Sequence, residues 1–275
     1  MRIDAHHHFW TLGANDCVWP TPDLTAIYRD FEPADLVPLA ARARIDGTVL
    51  VQTQPSDKDT DFILRVASEN DLVKAVVGWV DLKSPVAPAR IAELARHPKM
   101  RGLRPMLQIL PQDDWIADPA LEPAIAAMIA HELSFDALVF TRHLPFLRAF
   151  ARLHPALPIV IDHGAKPPIA DGILDPWRDE MRALAVLPNV CCKLSGLVTE
   201  AAPDWRPQQL VPYVRHLVEI FGPDRLMWGS DWPVLELRTG YQDWLELAES
   251  LSGVTDPAGK AALFGGTARR FYRIP

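Results

Sequence analysis

Two hydrophobic patterns alternate along this chain. Short apolar runs are followed by longer segments in which apolar residues recur at the spacing of a helix. The short runs are apolar at nearly every position, which is typical of strands buried on both faces. They predict eight β-strands: Ile3–Ala5, Thr48–Gln52, Ala75–Val80, Gly102–Arg104, Ala137–Phe140, Ile159–Asp162, Val190–Leu194 and Leu226–Trp228.

The segments between the strands predict helices. In the first of them, Leu36, Leu39, Ala40 and Ala43 fall on one face of a helix. Many of the 26 prolines stand in turns or at the starts of these segments, where proline is compatible with a helix. The predicted helices are Pro33–Arg44, Asp59–Asn70, Pro85–His97, Leu121–Glu132, Pro145–His154, Pro176–Leu187 and Gln208–Phe221.

The order of these elements predicts the fold. Eight strands that alternate with helices predict a parallel sheet, and eight is the number that closes a (β/α)8 barrel. The alternative is an open, doubly wound sheet, which usually carries a glycine-rich phosphate-binding turn after its first strand, where this chain has histidines. No linker or internal repeat divides the 275 residues. We therefore predict an α/β protein with one TIM-barrel domain over residues 1–275.

Composition and charge limit the classes of partner that this protein is expected to bind and indicate its cellular compartment. The formal net charge of −7 gives no reason to expect nucleic acid or an anionic membrane as a partner. No apolar run is long enough to span a bilayer, and the first residues lack the pattern of a signal peptide. Cys17, Cys191 and Cys192 form neither a convincing disulfide set nor a Cys-x-x-Cys zinc motif. We expect buried thiols and a cytoplasmic protein.

Three adjacent histidines follow the first predicted strand. They follow residues 2–5, which have the pattern of a strand in a folded domain. We therefore consider it less favoured that the three histidines are the remnant of an expression tag. On an extended strand His6 and His8 point to one side and His7 points to the other. His6 and His8 can therefore bind one metal ion or contact one carbonyl oxygen together, whereas His7 is expected to have a structural role.

Polar side chains also follow other predicted strands, at the end where TIM barrels carry their active sites. Asp231 follows strand eight, which in a closed barrel lies beside strand one, so we expect it near His6 and His8. A carboxylate there can bind a metal ion or take a proton from water. His163 follows strand six and offers a third imidazole, with Asp162 as the candidate partner that orients it.

Four further side chains near strand ends are candidates for substrate contact, although each is equally compatible with a structural role. Polar and aromatic side chains together suit a sugar ring, which has a hydroxyl-bearing edge and a C–H face. The four are Gln52, Arg104, Lys193 and Trp232.

Four motifs occur in order between positions 4 and 233: DAHHHFW from residue 4, VIDHGAKP from residue 160, KLSGL from residue 193 and WGSDWP from residue 228. Together they resemble the amidohydrolase superfamily, in its branch of sugar-lactone and pyrone-dicarboxylate lactonases. His6 and His8 match that family's strand-one pair, His163 its strand-six histidine and Asp231 its strand-eight acid. The resemblance implies a distorted (β/α)8 barrel that hydrolyses a small cyclic ester, as a monomer or a small homo-oligomer.

The resemblance also implies a mechanism. Asp231 would take a proton from the water that attacks the lactone carbonyl, while His6, His8 and His163 polarise the carbonyl oxygen. A single divalent ion, zinc in the first place, would be held by His6, His8 and Asp231. Residues 138–141 offer no histidine or lysine at the end of strand five, so at most one ion is expected. A site that works without metal is also compatible with the resemblance.

Several functions stay open at this point. The aromatic first loop, with Phe9 and Trp10, favours a sugar lactone such as L-fucono- or L-rhamnonolactone. A pyrone dicarboxylate would require several arginines, and Arg101, Arg104 and Arg142 are available. A metal-dependent decarboxylase would share the barrel and the His-x-His pair. A non-catalytic barrel would bind sugars without turnover.

Overall fold

Eight parallel strands in sequence order make up the sheet of this protein, for which a computed structural model describes residues 1–275. Each strand pairs in parallel with the next one along the chain. The strands are β1 (Ile3–His7), β2 (Gly47–Val51), β3 (Val73–Gly78), β4 (Met100–Leu103), β5 (Ser134–Ala137), β6 (Ile159–Ile161), β7 (Val190–Leu194) and β8 (Leu226–Trp228).

Helices connect the strands, and three more follow the last strand. The first helix buries Leu36, Ala40 and Ala43, so the predicted apolar face packs inward. None of the helices combines the length and the apolar composition of a membrane span. The helices are α1 (Pro33–Ala43), α2 (Asp57–Glu69), α3 (Ala87–Leu94), α4 (Glu122–Ala130), α5 (Leu144–Leu153), α6 (Trp177–Ala185), α7 (Pro207–Phe221), α8 (Tyr241–Ser252), α9 (Pro257–Ala261) and α10 (Thr267–Phe271).

The sheet closes between β1 and the residues that follow β8. The backbone N–H of Asp231 donates to the carbonyl of His6, and that of His8 donates to the carbonyl of Trp232, both at 2.8 Å. The buried Asp4 carboxylate adds to this seam by accepting hydrogen bonds from the Ser230 N–H (2.8 Å) and hydroxyl (2.6 Å). The predicted (β/α)8 barrel is confirmed, and its seam joins the strand ends that carry the predicted site.

Strand β5 lies earlier in the chain than predicted. It begins at Ser134, whereas the apolar pattern placed it at Ala137–Phe140. The difference arises from Asp136, which lies inside the strand and is fully buried. Its carboxylate forms a salt bridge with the Lys193 ammonium at 2.8 Å. A charged residue interrupts the apolar run, so the pattern alone selects the apolar residues just after the strand.

Two hydrophobic clusters fill the molecule. The larger contains 67 buried residues and joins the helices to one face of the strands, including Leu50 and Val76. The smaller contains 11 buried residues, most of them from the opposite face of the strands. It therefore lies inside the barrel, where Tyr272 and Ile274 of the C-terminal segment join it. The chain terminus thus forms part of the barrel interior.

Candidate active site

Three imidazoles converge on one carboxylate at the barrel seam. The Nε2 atoms of His6, His8 and His163 lie 3.8, 3.4 and 3.8 Å from Oδ1 of Asp231. The Nε2 atoms of His6 and His8 lie 3.2 Å apart. All four side chains are almost completely buried. The four residues that the sequence predicts as catalytic therefore form one cluster. His7 is not part of it, since its Nε2 bonds with the Thr48 hydroxyl at 2.9 Å.

The other ring nitrogen of each imidazole has a partner behind the site. His8 Nδ1 lies 2.8 Å from the carbonyl oxygen of Val51, so Nδ1 donates and Nε2 keeps a lone pair. His163 Nδ1 bonds with the hydroxyl of Ser195 at 2.9 Å. Ser195, and not the predicted Asp162, is thus the partner that orients His163. The Asp162 carboxylate instead contacts His6, Lys193 and Arg104.

His6 has a charged environment behind it. Its Nδ1 lies 3.2 Å from the Lys193 ammonium and 3.5 Å from Oδ1 of Asp162. Arg104 places Nη1 3.4 Å from His6 Nε2 and 3.4 Å from Oδ2 of Asp162. Asp136 completes the group through its salt bridge with Lys193. Two cations and two anions therefore balance one another around a single imidazole.

Two of the site residues have left-handed backbone conformations. His163 has φ +54° and Asp231 has φ +60°, which is uncommon for residues other than glycine. Such conformations cluster at functional sites, where the surrounding structure compensates for their cost. Gly196 (φ +62°) allows the close approach of the His163 ring, because a Cβ at that position would lie 2.5 Å from Nδ1.

Burial and neighbouring charges set the protonation of the site. Burial raises the pKa of the Asp231 carboxyl, but the imidazoles of His163, His8 and His6 outweigh it and hold the pKa well below its usual range. Burial lowers the pKa of His163 to about 4. Burial and then the Lys193 charge hold the pKa of His6 well below its usual value. At neutral pH the site therefore contains an ionised carboxylate beside neutral His6 and His163.

A cavity of about 350 Å³ opens onto this cluster. This volume is within the range of small-molecule sites. His8, His163 and Asp231 lie on its wall with polar and apolar side chains around them. The remaining lining residues are Val18, Trp19, Thr53, Gln54, Pro55, Arg104, Met106, Gln108, Ile109, Leu138, Lys166 and Val234.

Of the four predicted substrate residues, only Arg104 is in the cavity lining. Gln52 is buried and donates to the carbonyl of Arg104 at 2.9 Å. Lys193 is buried behind His6. Trp232 packs its ring against other aromatics, and its Nε1 donates to Glu236 at 2.7 Å. Gln52, Lys193 and Trp232 therefore do not line the cavity.

Several polar lining residues are absent from the sequence prediction. Gln54 follows β2 in the same polar stretch as Gln52, and Lys166 lies within the quoted motif around His163. Both therefore had a local signal in the sequence. Gln108 comes from the long loop after β4 and had none.

The donor set fits one divalent ion. Ligand atoms of His6, His163 and Asp231 all lie within 4.8 Å of one another, and the lone pair of His8 Nε2 points to the same carboxylate oxygen. The measured separations run from 3.2 to 3.8 Å. Nitrogen and oxygen ligands about 2.0–2.2 Å from a tetrahedral zinc lie about 3.3–3.6 Å apart. Strand β5 adds no ligand, since the residue after it is Leu138.

A barrel with this cluster at its carboxyl end is the architecture of a metal- or acid-base-assisted hydrolase. The chain matches the family model described as amidohydrolase over residues 3–274, and it belongs to that family. The family predicted from the sequence is thereby confirmed.

Individual relatives are similar over the full length. An L-fucono-1,5-lactonase of Burkholderia ambifaria is 56% identical, over 100% of this chain and 96% of the relative. An L-fucono-1,5-lactonase of Burkholderia multivorans is 38% identical, over 100% and 97%. A crystal structure of an amidohydrolase from Burkholderia multivorans with bound zinc is 38% identical, with a TM-score of 0.95 and full coverage of both chains.

Proposed function

We propose that this protein hydrolyses a sugar lactone, of the L-fucono-1,5-lactone type, to the open aldonic acid. The observation that carries the reaction is the convergence of three imidazole Nε2 atoms on the ionised carboxylate of Asp231. The substrate class rests on the 56% identity to the Burkholderia ambifaria L-fucono-1,5-lactonase over the whole chain. Both agree with the lactonase predicted from the sequence.

Asp231 is the base in this reaction. Its carboxylate accepts a proton from water as the water oxygen bonds to the lactone carbonyl carbon. The carbonyl oxygen becomes an oxyanion, which N–H donors of the surrounding imidazoles stabilise. The tetrahedral centre then collapses with cleavage of the ring C–O bond, and the protonated Asp231 returns its proton to the departing ring oxygen. One water is consumed and one aldonic acid forms.

A divalent ion, with zinc as the preferred metal, would be held by Asp231 and by the imidazole Nε2 atoms around it. Such an ion supplies Lewis acidity toward a carbonyl oxygen when it is bound. A lactone has a better leaving group than an amide, so the protein's own donors and base are chemically sufficient for a basal reaction.

The residues that line the cavity favour a neutral sugar ring over a dicarboxylate as the substrate. Among the three arginines considered from the sequence, only Arg104 lines the cavity. Arg101 donates to the Met100 carbonyl at 2.8 Å, and Arg142 pairs with Asp113 at 2.7 Å. We assign Arg104, Gln54 and Lys166 to the sugar hydroxyls. Gln52, Lys193 and Trp232 then support the site from behind.

Other properties of the enzyme are part of the same proposal. The reaction belongs to cytoplasmic sugar catabolism, which agrees with three free cysteines of which Cys17 and Cys192 are buried. The enzyme acts as a monomer or a small homo-oligomer.

The test is acid release, followed with a pH indicator, on a panel of aldono-1,4- and 1,5-lactones. Each lactone is assayed with enzyme, with enzyme plus chelator, and without enzyme to subtract spontaneous hydrolysis. We expect rapid turnover of one stereochemical series that includes L-fucono-1,5-lactone. No acid release across the panel by zinc-loaded enzyme would contradict the proposal. Binding without turnover would indicate a sugar-binding barrel, and carbon dioxide release from aromatic acids would indicate a decarboxylase.

A further inference from the structure

Two cationic side chains line the cavity, and each has an acidic partner outside the lining. Nη1 of Arg104 lies 3.4 Å from Oδ2 of Asp162. The ammonium of Lys166 forms a salt bridge with Oε1 of Glu200. Neither Asp162 nor Glu200 is among the lining residues. A ligand in the cavity therefore meets two cations whose charges already have partners within the protein.

The Lys166–Glu200 pair is fixed by backbone contacts of both residues. Lys166 has a left-handed conformation (φ +48°), and its N–H donates to the carbonyl of His163 at 2.9 Å. Glu200 ends a short 3-10 turn after β7, and its carbonyl accepts from the N–H of Ala170 at 3.0 Å. Each side chain of the pair is only 18% exposed. Charges that are largely shielded from water act more strongly on a neighbouring ligand than surface charges do.

The reaction proposed above changes the charge of the ligand. The lactone is neutral, whereas the aldonic acid has a free carboxyl group, which is ionised at neutral pH. The same cavity must therefore bind a neutral ring and release an anion. An unpaired ammonium in the wall would attract that anion through a charge-assisted hydrogen bond. It would equally attract a lactone that carries a carboxylate.

We propose that Glu200 is a specificity-determining residue that neutralises Lys166, so that the cavity selects neutral lactones and releases the aldonate. The proposal rests on the lactonase function for the identity of the product. Lys166 can still bind sugar hydroxyls, because an ammonium has three N–H donors. Asp162 offers a less specific test, since its carboxylate also lies 3.5 Å from Nδ1 of His6, whereas the salt bridge of Glu200 involves Lys166 alone.

A pair of ligands that differ in charge tests the proposal. L-fuconate is the anionic product of the lactone, and L-fuconamide is its neutral amide. Isothermal titration calorimetry gives the Kd of each for wild type and Glu200→Gln, at neutral pH and after the same metal treatment. The ratio of the L-fuconamide Kd to the L-fuconate Kd measures the preference for the anion, because contacts with the hydroxyls cancel.

We expect this ratio to rise by about 10–100-fold in Glu200→Gln, because the substitution leaves the Lys166 charge without a partner. An unchanged ratio would overturn the proposal. The absence of measurable L-fuconate binding to Glu200→Gln would overturn it as well.

The double variant Lys166→Met with Glu200→Gln tests whether the gain comes from Lys166. It removes both charges of the pair, so the ratio should return to within about twofold of the wild-type value. A ratio that stays raised in the double variant would contradict the proposal.

Glu180→Gln is the matched control. Glu180 pairs with Arg148 at 3.7 Å, has a side chain that is 22% exposed and does not line the cavity. Its substitution should leave the ratio unchanged. A rise equal to that in Glu200→Gln would overturn the proposal, because the loss of any negative charge would then be sufficient.

Acid release from the lactone panel separates this proposal from the lactonase function itself. Wild type that opens no lactone would contradict the proposed function. Active wild type with the same ratio as Glu200→Gln would contradict only the role of Glu200.

Discussion

The backbone N–H of Asp231 donates to the carbonyl oxygen of His6 across the seam between the last and first strands (2.8 Å). This is one of the two backbone hydrogen bonds that close the barrel here, and it joins the two candidate catalytic residues whose side-chain Oδ1 and Nε2 atoms are 3.8 Å apart. The contacts that close the sheet therefore also bring the residues of the candidate site together. Substitutions that loosen the seam are therefore expected to lower activity before they unfold the chain.

Gly196→Ala is predicted to displace the His163 ring. The new Cβ would lie 2.5 Å from Nδ1, where the hydrogen bond with Ser195 now holds the ring. We expect kcat to fall by about 100-fold, as on loss of one oxyanion donor. The control is Gly172→Ala, which has a similar φ of +67° and nothing within 4 Å of the new Cβ. Both variants should lose about 1 kcal/mol or more of stability from backbone strain, but only the first should lose activity. Equal kcat values would contradict this reading of Gly196.

Acidification is predicted to destabilise the protein through His163. Burial lowers the pKa of its folded-state imidazole to about 4, whereas the unfolded chain has a histidine pKa of about 6.5. Between these values the unfolded state binds a proton that the folded site does not, so stability falls as the pH falls. The His163 contribution should decrease by about 2 kcal/mol between pH 7 and pH 5.

Urea unfolding at both pH values measures this effect. The His163→Gln variant is the comparison, and its free energy of unfolding should depend less steeply on pH in this window. An identical pH dependence in the two proteins would show that folding does not lower the pKa of His163.

Zinc is predicted to bind with at most one equivalent per chain. The ligand atoms form one cluster around Asp231, and Leu138 follows β5 where a second ion would require a ligand. Competition with a chromophoric chelator measures the stoichiometry, and Asp231→Asn should weaken binding. A Cys17→Ser variant controls for the thiol near the cavity. Two tight equivalents in both wild type and Cys17→Ser would contradict the single-ion site.

The sequence predicts the barrel and the grouping of the candidate site residues well, for physical reasons. Strand ends of a parallel barrel meet at one face, so polar residues after apolar runs identified His6, His8, His163 and Asp231. Their convergence then follows from closure of the sheet. The position of β5 was predicted wrongly, because the buried Asp136 is stabilised by the distant residues Lys193 and Tyr272, and such long-range pairing leaves no mark on local periodicity.

The details behind the site could not be predicted for a related reason. The left-handed conformations of His163 and Asp231 are imposed by the surrounding fold and are not preferences of those residue types. Lys193 carries the same local signal whether it faces a substrate or two buried carboxylates. Trp232 likewise follows Asp231 in sequence, yet its ring packs against Phe9 and Phe31.

The most direct test of the central claim compares wild type with Asp231→Asn on L-fucono-1,5-lactone. Initial rates of acid release are measured side by side and corrected for spontaneous hydrolysis, with Asp171→Asn as an exposed control. We predict rapid release by wild type and the control, and a rate lower by at least about 100-fold in Asp231→Asn, with folding retained in circular dichroism. A rate in Asp231→Asn within a few fold of wild type would contradict the role of this carboxylate as the base.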